Sequence, residues 1–190
     1  FAQSPYAASK ISADQLALSY FNSFDLPVCV IRPFNTFGPR QSLRAIIPTI
    51  ITQVINNKIS DIKLGNINTT RDFSYITDTV DGFIKTFKNK KIFGEVINLG
   101  TGKEISINKI FKIVCELTNI NKNIVQENKR IRVKKSEIKR LCSSNSKAKK
   151  ILKWKPKYDS EKGFKVALKE TINWYKSNKS QLRKSNIYNL

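Results

Sequence analysis

Val28-Cys29-Val30-Ile31-Arg32-Pro33-Phe34-Asn35-Thr36-Phe37-Gly38-Pro39-Arg40 is the stretch on which the fold turns. It opens with a short, continuous, mostly β-branched apolar run. A run without polar alternation suits a strand buried on both faces, as in a parallel sheet. Arg32-Pro33 ends that strand, and Asn35 to Arg44 reads as a loop with Gly38-Pro39 as its turn. Upstream, Pro5 to Phe24 reads as a helix. Proline is tolerated in a first turn, Ala7, Ile11, Leu16 and Leu18 supply apolar positions, and Leu26-Pro27 stops the helix.

Downstream the same alternation continues. Pro48 to Asn57 reads as a helix, and Ile62 to Gly65 and Phe73 to Tyr75 as short strands. A helix begins at Thr77 or Asp78 and runs to about Lys88, with Ile84 and Phe87 towards the core. Glu95 to Leu99 is a strand closed by Gly100-Thr101-Gly102, and Ile105 to Ile107 is a further short strand. Asn108 caps a helix carrying Ile110, Ile113, Val114 and Leu117 at spacings of three and four. Residues 120–144 are polar and irregular, with strands expected near Ile124 and Ile131. Asn145 or Ser146 caps a short helix that Trp154-Lys155-Pro156 breaks. Asp159 or Ser160 starts a final amphipathic helix with Phe164, Val166, Leu168, Ile172 and Trp174. Helices alternating with a buried parallel-type strand give an α/β fold. Trp154 and Trp174 read as core residues rather than ligand platforms.

Composition narrows the function classes. The chain has 190 residues, long enough for one domain with a real core, and is 40% hydrophobic and 26% charged. Its longest apolar-leaning run, Ala45 to Ile55, is interrupted by Pro48, Thr49, Thr52 and Gln53. That is far short of the roughly 18 residues that a membrane span needs, so no membrane partner is expected. With no His, neither an imidazole zinc site nor a Ser-His-Asp triad can form, and no metal site is expected. Three cysteines at unpatterned spacing (Cys29, Cys115, Cys142) read as free thiols in a reducing, cytoplasmic compartment.

The net charge of +21 is unevenly spread. Residues 1–100 hold 11 basic and 7 acidic side chains, whereas residues 101–190 hold 24 and 7. Lys129 to Lys157 alone carries 13 basic residues against the single acid Glu137. A polyanion-binding role would use this segment. It ranks last, because only Trp154 offers an aromatic surface there and no nucleic-acid fold signature is present.

Chemistry is carried by Tyr6-Ala7-Ala8-Ser9-Lys10. On a helix, Tyr6 and Lys10 share a face. A phenol is a poor base at neutral pH, and an ammonium one turn away favours its ionised form. A tyrosine tuned in this way can exchange a proton with a sugar or alcohol hydroxyl.

The ordered series matters more than the pair. Arg32-Pro33-Phe34-Asn35-Thr36-Phe37-Gly38-Pro39-Arg40 is followed by Leu64-Gly65, then by Thr70-Arg71-Asp72-Phe73-Ser74-Tyr75-Ile76 and Asn98-Leu99-Gly100-Thr101-Gly102. With Tyr6 and Lys10, this series closely resembles the extended short-chain dehydrogenase/reductases, the NAD-dependent epimerase/dehydratase family acting on nucleotide sugars. Gln3-Ser4-Pro5-Tyr6, Gly38 to Arg44 and Ile47-Pro48-Thr49-Ile50 are most similar to the N-acetylglucosamine-nucleotide 4,6-dehydratases of the legionaminic acid pathway. The segments Arg130 to Leu141 and Asn145 to Ala148 fit the same group, and the resemblance spans about residues 1–176.

The resemblance implies roles. Tyr6 would be the catalytic base, assisted by Lys10, which also contacts the nicotinamide ribose of NAD. Pro33 and Phe34 would lie beside the nicotinamide. Asn35 would bond the sugar or diphosphate, Arg71 and Arg132 would neutralise the diphosphate, and Arg44 and Glu137 would reach the nucleoside ribose or a nearby phosphate. Val133 stands where the group has proline, so the stiff turn after Arg132 is missing. The implied fold is the C-terminal part of a Rossmann-type doubly wound parallel sheet plus a small mixed α/β substrate-binding subdomain. Residues 1–100 would belong mainly to the cofactor domain, interleaved with substrate-domain segments. Residues 101–180 would form mainly the substrate subdomain, and 181–190 a tail. A homodimer is implied for the full-length protein.

The Gly-rich turn that holds a dinucleotide pyrophosphate is missing: of seven glycines, Gly100-x-Gly102 is followed by Ile105 where the third would fall. The chain also opens with Phe1 and contains no Met. It is therefore expected to be a C-terminal fragment, inactive by itself. Dehydratase is the leading reading. A 4-epimerase fragment and a non-catalytic binder of nucleotide sugars or polyanions are the alternatives.

Overall fold

The computed structural model describes residues 2–87, 89–131 and 137–178. In chain order the elements are α1 (Pro5–Phe24), β1 (Val30–Pro33), β2 (Asn35–Phe37), α2 (Ile46–Val54), β3 (Asp61–Leu64), β4 (Thr70–Arg71), β5 (Phe73–Tyr75), α3 (Ile76–Phe87), β6 (Val96–Leu99), β7 (Ile105–Ser106), α4 (Ile107–Thr118), β8 (Asn123–Gln126), β9 (Arg140–Leu141), α5 (Ser146–Leu152) and α6 (Glu161–Ser177). The α/β class expected from the alternation holds.

Parallel pairing dominates the strands. β1 lies beside β6 with Val30 opposite Val96 and Pro33 opposite Leu99. β2 pairs β5, with Asn35 opposite Phe73, and β3 pairs β8. β4 sits between antiparallel β7 and parallel β9, which sets Arg71 opposite both Ile105 and Leu141.

Helix starts are set by side-chain caps. Ser4 accepts the Ala7 N–H at 3.1 Å before Pro5 opens α1. Ser160 does the same for α6, accepting from Gly163 at 3.0 Å. α1 closes at Asp25, which is left-handed at φ 53°.

Two apolar clusters hold the fold. The larger packs α2, α4 and α6 around β2, β3 and β5, with Ile50, Ile51, Val54, Ile110, Val114 and Leu168 inaccessible to solvent. The smaller joins β6 to α5 through Ile97, Leu99, Ala148, Leu152 and Trp154. Trp154 is fully buried and Trp174 packs half-buried against the larger cluster, as expected of core residues.

Several sequence expectations need correction. β1 begins two residues later than expected and is not buried on both faces: Val30 is buried, Ile31 half-buried, Arg32 and Pro33 exposed. The cause is topological, since among the described residues β1 has one strand neighbour, β6. Asn35 to Phe37 is a strand, not loop, because β5 supplies a partner and Phe37 is drawn into a cluster with Phe73, Tyr75 and Phe164. Ser106, rather than Asn108, caps α4, accepting from Lys109 at 3.1 Å. Ile131 itself caps a 3-10 turn, and among the described residues the next strand is β9.

Ile84 and Phe87 do not reach the core; they are 49% and 89% exposed. α3 instead turns Asp78, Thr79 and Gly82 inward. A Cβ on Gly82 would lie 2.6 Å from the Leu99 side chain, so this helix approaches β6 through its small residues. No residue of α1 is buried.

Candidate active site

Residues from distant segments converge on one cavity of about 900 Å³. Tyr6 comes from the first turn of α1, Asn35 from β2, Arg44 from the segment before α2, and Arg71 from the end of β4. Glu137 arrives after the undescribed segment 132–136. Each of these five was singled out from sequence, and they are separated by up to 131 residues along the chain.

The polar groups are held by specific partners. Asn35 Nδ2 donates to the Asp72 carbonyl at 3.2 Å, which fixes its amide oxygen towards the opposite side. The Glu137 carboxylate accepts from Asn66 Nδ2 at 2.9 Å. Arg71 Nη1 donates to the Thr70 carbonyl at 2.7 Å. Arg44 is exposed, and its backbone N–H donates to Ser42 Oγ at 3.3 Å.

Lys10 lies one turn along from Tyr6, with its ammonium 5.6 Å from the centre of the phenol ring. That is a cation–π distance, and both side chains are exposed. Lys10, Pro33 and Phe34 are not among the residues lining the cavity. Pro33 ends β1, and the Phe34 N–H donates to the Leu99 carbonyl at 2.9 Å. Arg132 lies outside the described residues.

Sequence reasoning missed Gln41, Asn66 and Arg130, which also line the cavity. Gln41 was legible as part of the Gly38 to Arg44 run; its Nε2 donates to the Thr36 carbonyl at 2.6 Å. Arg130 had no local signal beyond lying two positions before Arg132. It is held at 2.6 Å by Glu127, whose carboxyl that guanidinium keeps below its usual range. A Cβ on Gly65 would meet the Arg130 carbonyl oxygen at 2.4 Å, so glycine allows the end of β3 to abut this turn.

The described cavity lining is basic, with Arg44, Arg71 and Arg130 against the single acid Glu137. Ala45, Ile46 and Ile47 at the start of α2 also line it, and Ala45 brings no side-chain acceptor to the first N–H groups. Guanidinium groups and a helix start together favour an anion. The tyrosine at one edge adds a proton-exchanging hydroxyl. Among the described residues, no group of three His, Cys, Asp or Glu gathers to hold a metal, and no helix is long and apolar enough to cross a membrane.

The family model described as GDP-mannose 4,6 dehydratase matches residues 1–166. A UDP-glucuronate 4-epimerase of Thermodesulfobacterium geofontis is 37% identical over 176 residues, covering 92% of this chain and 51% of that protein. The dTDP-D-glucose 4,6-dehydratase of Homo sapiens is 30% identical over 176 residues, covering 92% and 49%. Among solved structures, the dTDP-glucose 4,6-dehydratase of Bacillus anthracis in complex with NAD superposes with a TM-score of 0.81 at 30% identity, covering 93% of this chain and 53% of that one. The chain thus spans about half the length of these relatives, and its α/β architecture is that of Rossmann-type epimerases and dehydratases. A family match over most of the chain, and a cavity that collects the tyrosine, asparagine and arginines of the motif series, lead to one assignment: the chain belongs to the GDP-mannose 4,6-dehydratase family, within the NAD-dependent epimerase/dehydratase group of extended short-chain dehydrogenase/reductases.

Proposed function

We propose that this chain carries the catalytic tyrosine and the substrate-binding residues of an NAD-dependent nucleotide-sugar 4,6-dehydratase. The substrate would be a UDP- or GDP-N-acetylglucosamine, and the product a 4-keto-6-deoxy sugar for surface polysaccharide or nonulosonic acid synthesis. The observation that carries this reading is the single cavity shared by Tyr6, Asn35, Arg44, Arg71 and Glu137.

In this reading the guanidinium groups of Arg71 and Arg132 neutralise the diphosphate, a task suited to planar, bidentate donors. Arg44 and Glu137 reach the nucleoside ribose or a nearby phosphate. Asn35, its Nδ2 already engaged by the Asp72 carbonyl, offers its amide oxygen to a hydroxyl of the sugar. Tyr6 accepts the proton of the sugar hydroxyl at the carbon being oxidised, and the Lys10 ammonium beside its ring favours that transfer. Two exposed donors, the Tyr6 hydroxyl and the Lys10 ammonium, suit a dinucleotide ribose and nicotinamide. Tyr6, Lys10, Pro33 and Phe34 would hold that end of NAD. When bound, NAD supplies the hydride acceptor.

A 4-epimerase is the second reading, favoured by the 37% identity to a UDP-glucuronate 4-epimerase. The test joins this chain to the cofactor-binding half of a dehydratase relative and supplies UDP- and GDP-N-acetylglucosamine. A 4-keto-6-deoxy product supports the first reading and a C4 epimer the second. If the NAD-loaded protein forms neither, both readings fail.

A further inference from the structure

Asp72 is fully buried, and its carboxylate collects five hydrogen bonds from two other segments. Oδ1 accepts the N–H and the hydroxyl of Thr101 at 2.9 and 2.6 Å. Oδ2 accepts the Gly102 N–H at 2.9 Å, the Ser143 N–H at 3.1 Å and the Ser143 hydroxyl at 2.6 Å. Packing leaves no slack: a Cβ on Gly100 would lie 2.4 Å from Ser143 Oγ and 2.8 Å from Asp72 Oδ2.

The backbone of the same residue faces the cavity wall. Its carbonyl takes the Asn35 amide at 3.2 Å, and its N–H donates to the Leu141 carbonyl at 2.8 Å. Arg71 precedes it directly in the chain. Arg71, Asn35 and Leu141 all line the cavity, whereas Asp72 does not. A buried carboxylate would cost several kcal/mol if left unpaired. With five donors it instead fixes the backbone of 71–73 against two outside segments.

We propose that Asp72 is a positioning residue that sets Arg71 for the diphosphate of the ligand and Asn35 for the sugar beside it. The inference rests on the nucleotide-sugar reading of the cavity and adds to it a residue that never touches the ligand. Asp72→Asn keeps the shape but replaces one acceptor oxygen with an NH₂ group. Either orientation of that amide confronts at least one backbone N–H, of Thr101 on one side or of Gly102 and Ser143 on the other. Those donors cannot reverse, so residues 71–73 must shift.

The experiment measures calorimetric affinity of the 190-residue chain for UDP and GDP and for uridine and guanosine. In Asp72→Asn, diphosphate affinity falls roughly tenfold, as expected for one lost charge-assisted contact, while nucleoside affinity is unchanged. In an Arg71→Ala background the same change has no further effect on diphosphate affinity. If Asp72→Asn does not fold, Ser143→Ala, which removes one hydroxyl donor, shows a smaller loss of the same diphosphate-specific kind. A folded variant that binds diphosphate like the unsubstituted chain overturns the proposal, and so does an equal loss for diphosphate and nucleoside. If the unsubstituted chain binds neither diphosphate, the nucleotide-sugar reading itself is wrong and this inference goes with it.

Discussion

The indole N–H of Trp154 donates to the carbonyl oxygen of Asp78 at 3.0 Å, and both residues are buried. The Asp78 carboxylate in turn accepts the backbone N–H groups of Lys157 and Tyr158 at 2.9 and 3.0 Å. The first turn of α3 is therefore fastened to the segment between α5 and α6. The Asp78 carbonyl also lies in the i→i+4 ladder of α3, so Trp154→Phe removes a second bond to it, worth about 0.5–1.5 kcal/mol, and leaves a void in the β6–α5 cluster besides. Chemical denaturation should show a lower midpoint with an unchanged slope. A midpoint equal to that of the unsubstituted chain would remove this bond from the account of stability.

Such joints explain what could be read from the sequence. α1 was legible because Ser4, Pro5 and Leu26-Pro27 act locally. So was the start of α6, where Ser160 caps within its own turn. β2 was not legible, since Asn35 to Phe37 becomes a strand only when β5, from residue 73 onwards, lies beside it. The inward face of α3 was misread for a related reason. Apolar periodicity pointed to Ile84 and Phe87, yet the close approach of Leu99 selects Gly82. At the site, Tyr6, Asn35, Arg44, Arg71 and Glu137 were found through ordered motifs. Arg130 and Asn66 were not, because only the packing of β3 against the turn at Arg130 brings them in.

Arg71 should matter through its guanidinium and not through charge alone. Arg71→Ala is expected to weaken binding of a nucleoside diphosphate sugar by tenfold or more, on the order of one to two charge-assisted hydrogen bonds. Arg71→Lys restores little of this, because an ammonium cannot make the paired contact. Calorimetric titration of the three proteins checks it, and full recovery in the lysine variant would refute the bidentate contact.

Tyr6 should separate binding from turnover. It is exposed at the cavity edge, so Tyr6→Phe removes a hydroxyl without opening a void in the core. In the protein joined to a cofactor-binding half, turnover falls by at least roughly a hundredfold, the scale of acid–base catalysis, while substrate affinity changes little. Undiminished turnover would take Tyr6 out of the reaction.

The three thiols should react in order of exposure. Cys142 is exposed, Cys29 half-buried and Cys115 buried, and burial raises the pKa of each. A neutral thiol reacts slowly, so alkylation of the native chain at pH 7 is slow overall. Mass spectrometry should find Cys142 modified first and Cys115 protected until the chain unfolds. Early labelling of Cys115 would contradict its packing in α4.

Alkaline pH should unfold the chain through its buried phenols. Tyr175 is inaccessible to solvent and donates to the Gln41 carbonyl at 2.5 Å, and burial pushes its pKa up to about 12. Tyr75 is also shifted upward, first by burial and then by its bond to Glu170 at 2.7 Å. An unfolded tyrosine titrates near 10. Between that value and the folded one, the native state holds protons that the unfolded state has released. Stability is therefore fully present below about pH 10 and declines as the pH rises towards 12. Denaturation midpoints measured from pH 8 to pH 12 should be level at first and then fall. Tyr175→Phe should flatten part of that fall while losing the Gln41 bond at every pH. An unchanged alkaline slope in this variant would assign the transition to other groups, such as the lysines.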